Sequence, residues 1–150
     1  MKHVRDIMTM DPIQCTPQTT LAQVSKLMLH YDYGEIPVVD SFGSKKPVGV
    51  ITDRDIVCRG LAHDKNAEET PVEGCMSRPA ITVTPDTRTD ECCNLMTKHG
   101  IRRILVIDKT GQLCGIVAQA DIARFLTVQQ KADFFERISS PSSQIQKKSA

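Results

Sequence analysis

The sequence predicts an α+β fold made of two copies of one strand-helix-strand-strand-helix unit packed against each other. Sliding the chain by 68 residues superposes Met8 on Met76, Ile13 on Ile81, Thr16-Pro17 on Thr84-Pro85, Leu27-Met28 on Leu95-Met96, Val38 on Val106 and Asp40 on Asp108. After Asp40 the offset falls to 66, which aligns Gly49 with Gly115 and Asp55-Ile56 with Asp121-Ile122. The first copy therefore carries two extra residues in its Ser41 to Lys46 turn, where insertion is cheap. Within each copy the apolar period changes from helical to extended at matched places, the mark of a structural repeat. A copy of about 55 residues buries too little surface to stand alone, so the two must pack together.

Each copy begins with a short apolar turn (Val4, Ile7, Met8 in the first) and a brief extended piece, Ile13 to Cys15, ended by Thr16-Pro17. Thr20-Leu21-Ala22-Gln23 has the form of a capping box, and Leu21, Val24, Leu27, Met28 and Tyr31 follow at helical spacing. Gly34 and Gly100 are expected to end the two helices by adopting positive φ. Ile36-Pro37-Val38-Val39-Asp40 and Pro47-Val48-Gly49-Val50-Ile51 read as two short strands around a polar loop. Their counterparts are Ile104 to Asp108 and Leu113 to Val117, joined through Lys109-Thr110-Gly111-Gln112 as a tight turn. Pro37 cannot donate to a ladder and predicts an edge position or a strand start.

The resulting organisation is residues 1–61 for the first copy, 62–70 for a polar linker and 71–127 for the second copy. Helical spacing through Phe125, Val128, Ala132, Phe135 and Ile138 adds a helix over 128–138 outside the repeat. Its apolar stripe either folds back on its own core or buries against a second subunit, and the second, a homodimer, is the expectation. Residues 139–150, rich in Ser, Gln and Lys, are expected to be disordered.

The chemistry is concentrated at Gly49-Val50-Ile51-Thr52-Asp53-Arg54-Asp55, where an apolar strand runs straight into the amphipathic run Asp55-Ile56-Val57-Cys58. At such a junction Thr52 and Asp53 are the N-cap candidates, and the open backbone N–H groups favour an anion. A hydroxyl at Thr52 and a carboxylate at Asp55, one turn apart, suit vicinal hydroxyls and suggest a site for a phosphorylated sugar. Gly115 to Asp121 repeats the junction with Ala118 in place of the threonine.

Composition excludes several alternatives. At 150 residues, 40% hydrophobic and 25% charged, the chain is an ordinary globular protein with a real core. A net charge of +1, no Trp and 4% aromatics offer no field or stacking platform for nucleic acid. No apolar run approaches the roughly 20 residues that cross a bilayer, and the N-terminus lacks a secretion signal, so a cytoplasmic protein without membrane contact is expected. Six cysteines without C-x-x-C spacing read as reduced thiols, mostly buried, and four scattered histidines show no ligand spacing, so no metal is expected. The nucleophile-elbow, phosphate-loop and H-E-x-x-H motifs are absent, so no catalytic activity is expected.

Taken together, Val4-Arg5-Asp6-Ile7-Met8-Thr9, Thr16-Pro17, Ile36 to Asp40 and Gly49 to Ile56 resemble a tandem cystathionine β-synthase (CBS) domain pair, or Bateman module. The resemblance spans about residues 4 to 126 and implies a stand-alone module with β-α-β-β-α repeats related by a pseudo-twofold. It further implies clefts that bind adenine nucleotides or related adenosyl compounds. Carried onto this chain, Thr52 and Asp55 would hold ribose hydroxyls, and Ile36 and Pro37 would line the base pocket. Ile13 and Ile51 would supply apolar contact and backbone hydrogen bonds to the base. In the second copy Ala118 and Leu105 depart from the pattern, leaving its ribose site to Asp121. Arg102 and Arg103 could reach a phosphate, with Arg54 a weaker candidate.

The leading reading is a non-enzymatic sensor of an adenosine-containing ligand (AMP, ADP or ATP) that requires no cofactor and acts on an unidentified regulated protein. The alternatives are a structural dimerisation protein with vestigial clefts, or a redox or metal sensor built on Cys92-Cys93 or the histidines.

Overall fold

In chain order the elements are β1 (Thr9–Met10), α1 (Leu21–Tyr31), β2 (Glu35–Val39), β3 (Pro47–Thr52), α2 (Asp53–Asp55), β4 (Thr82–Val83), α3 (Thr89–His99), β5 (Arg103–Ile107), β6 (Leu113–Ala118), α4 (Gln119–Ala123) and α5 (Val128–Ile138). They come from a computed structural model that describes residues 2–140; positions 141–150 of the expected disordered tail, with residue 1, lie outside the described residues. The mixed α+β class and the repeated unit are as the sequence predicts. The chain sorts into two compact units that interleave along the sequence. An early unit contains Asp11–Ile81 with Ile107–Cys114, and a late unit contains the residues up to Met10, Thr82–Val106 and those from Gly115 on.

In the early unit α1 opens on the predicted capping box. Thr20 Oγ1 accepts from the Gln23 N–H at 3.1 Å, and Gln23 Oε1 accepts from the Thr20 N–H at 3.0 Å. Leu21 and Val24 are fully buried, whereas Tyr31 is exposed and stacks on Tyr33. The helix ends at Asp32, whose φ of 57° makes the left-handed turn expected of Gly34. A short polar side chain tolerates that conformation. Gly34 serves a different need: its carbonyl accepts from the Asp53 N–H at 3.0 Å, and a Cβ there would lie 3.3 Å from the Asp53 carboxylate.

β2 and β3 pair antiparallel, with Ile36 opposite Ile51 and Pro37 opposite Val50. Val50 exchanges both backbone bonds with Ser77 instead, at 3.0 and 2.8 Å, so the missing Pro37 N–H costs the ladder nothing there. On the other side it does cost something. The expected strand Ile13 to Cys15 shrinks to a parallel bridge between Cys15 and Val38, whereas the matching β4 pairs with β5 at both Thr82↔Leu105 and Val83↔Val106. Leu105 keeps the donor that Pro37 lacks. The segment of linker composition after Leu61 is bonded to α1, through Leu21 N–H to Thr70 O (3.0 Å) and Ala22 N–H to Ala67 O (2.9 Å). The core behind it comprises Cys15, Leu21, Val24, Ile36, Val38, Ile51, Ile56, Val72, Cys75 and Met76.

The expected amphipathic helix after Thr52 is shorter and wider than its sequence suggests. α2 has three residues and passes into a π-helical turn, Ile56–Gly60, before a 3₁₀ turn, Leu61–His63. The wide turn seats Gly60 where a Cβ would come within 2.9 Å of a Leu21 methyl, and it leaves Cys58 exposed.

In the late unit the sheet order is β1-β6-β5-β4, with β1 antiparallel to β6 and β4 parallel to β5. α3 ends at Gly100, whose φ of 62° is the predicted left-handed cap. The turn between β5 and β6, whose residues sort with the early unit, is the predicted tight one: Gly111 has φ 83°, and Asp108 Oδ1 accepts from the Thr110 and Gln112 N–H groups at 2.8 and 3.1 Å.

The C-terminal apolar residues divide between a buried and an exposed set. Phe134 and Ile138 are buried and α5 packs on α3, while Phe125, Val128 and Phe135 are exposed. Thr127 caps α5 by accepting from the Gln130 N–H at 3.2 Å, so Phe125 lies outside that helix. Phe134 and Ile138 hold α5 on its own unit, whereas Val128, Ala132 and Phe135, at positions i, i+4 and i+7, form its exposed face.

Truncating Phe134 to Ala is expected to cost about 3 to 5 kcal/mol, and Val128 to Ala less than about 0.5 kcal/mol, read as shifts in urea midpoint. Burial also pushes the Cys15 and Cys92 thiols up to about 12 from an ordinary 9.0. Raised folded values mean that their stabilisation is complete below pH 9 and is lost as pH rises towards 12, because the unfolded chain loses these protons first. Stability should therefore fall more steeply over that window in the wild type than in Cys15→Ala. Under native conditions iodoacetamide should modify exposed Cys58 before either.

Candidate functional site

Among the described residues, Asp55 is the one charged residue that is buried, at 7% exposure. A carboxylate taken out of water needs strong donors around it. The strand-to-helix junction supplies the first. Thr52 is the N-cap of α2: its hydroxyl accepts from the Asp55 N–H at 3.0 Å, and Asp55 Oδ2 accepts from the Thr52 N–H at 3.1 Å. Asp53, the other cap candidate, instead turns its carboxylate to the neighbouring Arg54 N–H at 2.8 Å.

Two further partners of Asp55 were not singled out in the sequence. The Ser77 hydroxyl lies 3.1 Å from both carboxylate oxygens, and Arg59 Nε lies 3.7 Å from Oδ1. Arg59 also donates through Nη1 to the Met76 carbonyl at 3.0 Å. The signals were present: Arg59 follows Asp55 by four residues on one helical face, and Ser77 occupies in the second copy the place of Thr9 in the first. The segment carrying Ser77 lies so close to β3 that a Cβ on Gly49 would come within 2.5 Å of the Ser77 carbonyl oxygen. Gly49 is thus needed for backbone approach, the reason a glycine interrupts a strand.

The early unit gathers seven of the residues named from sequence: Ile13, Ile36, Pro37, Ile51, Thr52, Arg54 and Asp55. Ile36, Pro37 and Ile51 are buried, Ile13 is partly buried against the same core, and Arg54 is exposed. Gln14, next to Ile13, has a buried Oε1 with no hydrogen-bond partner.

Arg102, Arg103 and Asp121 belong to the late unit. There Asp121 Oδ2 accepts from the Ala118 N–H at 2.8 Å, so the backbone half of the junction persists without the threonine hydroxyl. The Arg102 carbonyl accepts from the Gln119 N–H at 2.9 Å, as Gly34 accepts from Asp53, which fixes Arg102 beside the start of α4. Arg102 is exposed and Arg103 half-buried. Among the described residues no group of three or more His, Cys, Asp or Glu side chains is placed to hold a metal ion, and no helix is long and apolar enough to cross a membrane.

Two copies of this unit, each running its last strand into a carboxylate-bearing helix start, define a tandem α+β repeat module. The chain belongs to the CBS domain family, whose model matches residues 4–59 and 72–128. It is 34% identical over 119 residues to the uncharacterized protein MK0525 of Methanopyrus kandleri, covering 79% of this chain and 60% of that longer protein. Hypoxic response protein 1 of Mycobacterium tuberculosis is 34% identical over 142 residues, covering 94% of this chain and 96% of its own. A crystal structure of Hypoxic Response Protein I, with two coordinated zinc ions, superposes with a TM-score of 0.75 over 84% of this chain and all of that one. The CBS domain pair of protein MJ0100, solved with 5′-methylthioadenosine and S-adenosyl-L-methionine, is 30% identical with a TM-score of 0.73, covering 83% of this chain and 98% of that one.

Proposed function

We infer that the protein is a non-catalytic cytoplasmic sensor that binds an adenosine-containing ligand, AMP, ADP or ATP, through the ribose at Thr52 and Asp55. The observation that carries this reading is Asp55: a buried carboxylate already engaged with a hydroxyl group, at a helix start built to hold it. A ribose offers two vicinal hydroxyls to the same acceptor oxygens. Pro37, the partly buried Ile13 and the unpartnered acceptor of Gln14 are suited to a purine, whose faces are apolar and whose exocyclic amine is a donor, while the side chains of Ile36 and Ile51 belong to the packed core. Adenosyl ligands in the MJ0100 pair support the class of compound. Arg54 is the phosphate candidate beside Asp55, and Arg102, Arg103 and Asp121 are the candidates of the second repeat. Signalling to a regulated protein requires different affinities for two conformations.

A second copy of the chain is the proposed cover for the exposed face of Phe125, Val128 and Phe135. Sedimentation equilibrium should find a dimer that Val128→Glu with Phe135→Glu weakens; a monomeric wild type would refute this part.

Calorimetric titration with AMP tests the binding reading. Asp55→Ala is expected to weaken binding by more than about tenfold and Asp121→Ala by much less, as loss of a charge-assisted hydrogen-bond acceptor predicts. Absence of binding to the wild type at millimolar AMP would leave the dimerisation module with vestigial clefts as the better account.

A further inference from the structure

We propose that Ser77 is a built-in stand-in for the ligand hydroxyl, a latch that the ribose must displace from Asp55. The proposal rests on the nucleotide reading above and adds a residue that sets its affinity. Ser77 Oγ lies equidistant, at 3.1 Å, from the two Asp55 oxygens, across the carboxylate edge that a diol would occupy.

The exchange is favourable on simple counting. A serine hydroxyl has one proton, so it satisfies only one of the two oxygens at a time, whereas a vicinal diol brings a donor for each. The remaining partners need not move. Thr52 N–H approaches Oδ2 from the backbone side, and Arg59 lies 3.7 Å from Oδ1, long for a hydrogen bond. Nor need the main chain open, since Ser77 is held to Val50 by both of its backbone bonds and can release Asp55 by rotating χ1. Ser77 is half-buried, so the freed hydroxyl has water within reach.

With Ser77 in place Asp55 keeps a hydroxyl partner when no ligand is bound, which spares the empty site a buried carboxylate with an idle face. The consequence is a threshold. Ligand binding is weakened by the hydrogen bond that has to be broken, and a compound without a diol gains too little to break it.

Affinities for AMP and for 2′,3′-dideoxy-AMP, measured by calorimetry on the full chain, test the latch. Ser77→Ala should bind AMP roughly 5- to 10-fold more tightly than wild type, the equivalent of one hydrogen bond of about 1 kcal/mol or slightly more. Ser77→Thr, which keeps the hydroxyl, should stay near wild type, and the dideoxy analogue should gain little from Ser77→Ala. Unchanged or weaker AMP binding by Ser77→Ala overturns the latch and leaves the nucleotide reading intact. Equal tightening by Ser77→Thr also overturns it, because the effect would then not belong to the hydroxyl. Failure of both wild type and Ser77→Ala to bind AMP overturns the nucleotide reading and the latch with it.

Discussion

The solvation of one carboxylate governs the early unit. Asp55 is out of water, so the chain must bring donors to it, and each donor fixes a different piece of structure. The Thr52 N–H sets the angle at which β3 becomes helix. Arg59 ties the π-helical turn to the Met76 carbonyl. Ser77 brings the following segment against β3, and Gly49 has no side chain because that approach leaves no room for one. An apolar residue at position 55 would remove the reason for all four arrangements together.

The two repeats show which part of this design is scaffold. In both, a carbonyl just before the central strand accepts from the residue that starts the short helix, Gly34 from Asp53 and Arg102 from Gln119. In both, an aspartate accepts from the N–H three residues earlier. What differs is side-chain chemistry: Ala118, Leu105 and Phe125 stand where the first repeat has Thr52, Pro37 and Arg59. The backbone frame is therefore independent of the polar groups mounted on it, and one frame can carry unlike sites.

Much of this was legible in the sequence, because repeats and caps are local signals. The 68-residue offset, the Thr20 capping box and the Gly100 cap are encoded within a few residues and appear in the structure as read. The failures have non-local or phase-dependent causes. Asp32 and Gly34 are both able to end a helix, and only the close approach of Asp53 reserves the glycine for another task. Phe125 falls outside the C-terminal helix because Thr127 starts that helix anew, so the two sides of the break share no helical phase. Ser77 lies 22 residues from Asp55, and its repeat equivalence to Thr9 marks the position without marking the partner. The residues proposed for the ribose and the base were readable through resemblance, but their hydrogen bonds were not.

The interleaving of the compact units bears on how the chain is made. The residues up to Met10 are sorted with segments that begin only at Thr82, so they must wait for the whole stretch between before finding their partners. The Asp11–Ile81 stretch in turn waits for residues 107–114. Such long-range closure slows folding, and it sets a rule for dissection: a cut at the polar stretch between the repeats gives two fragments, neither of which contains every residue of a compact unit.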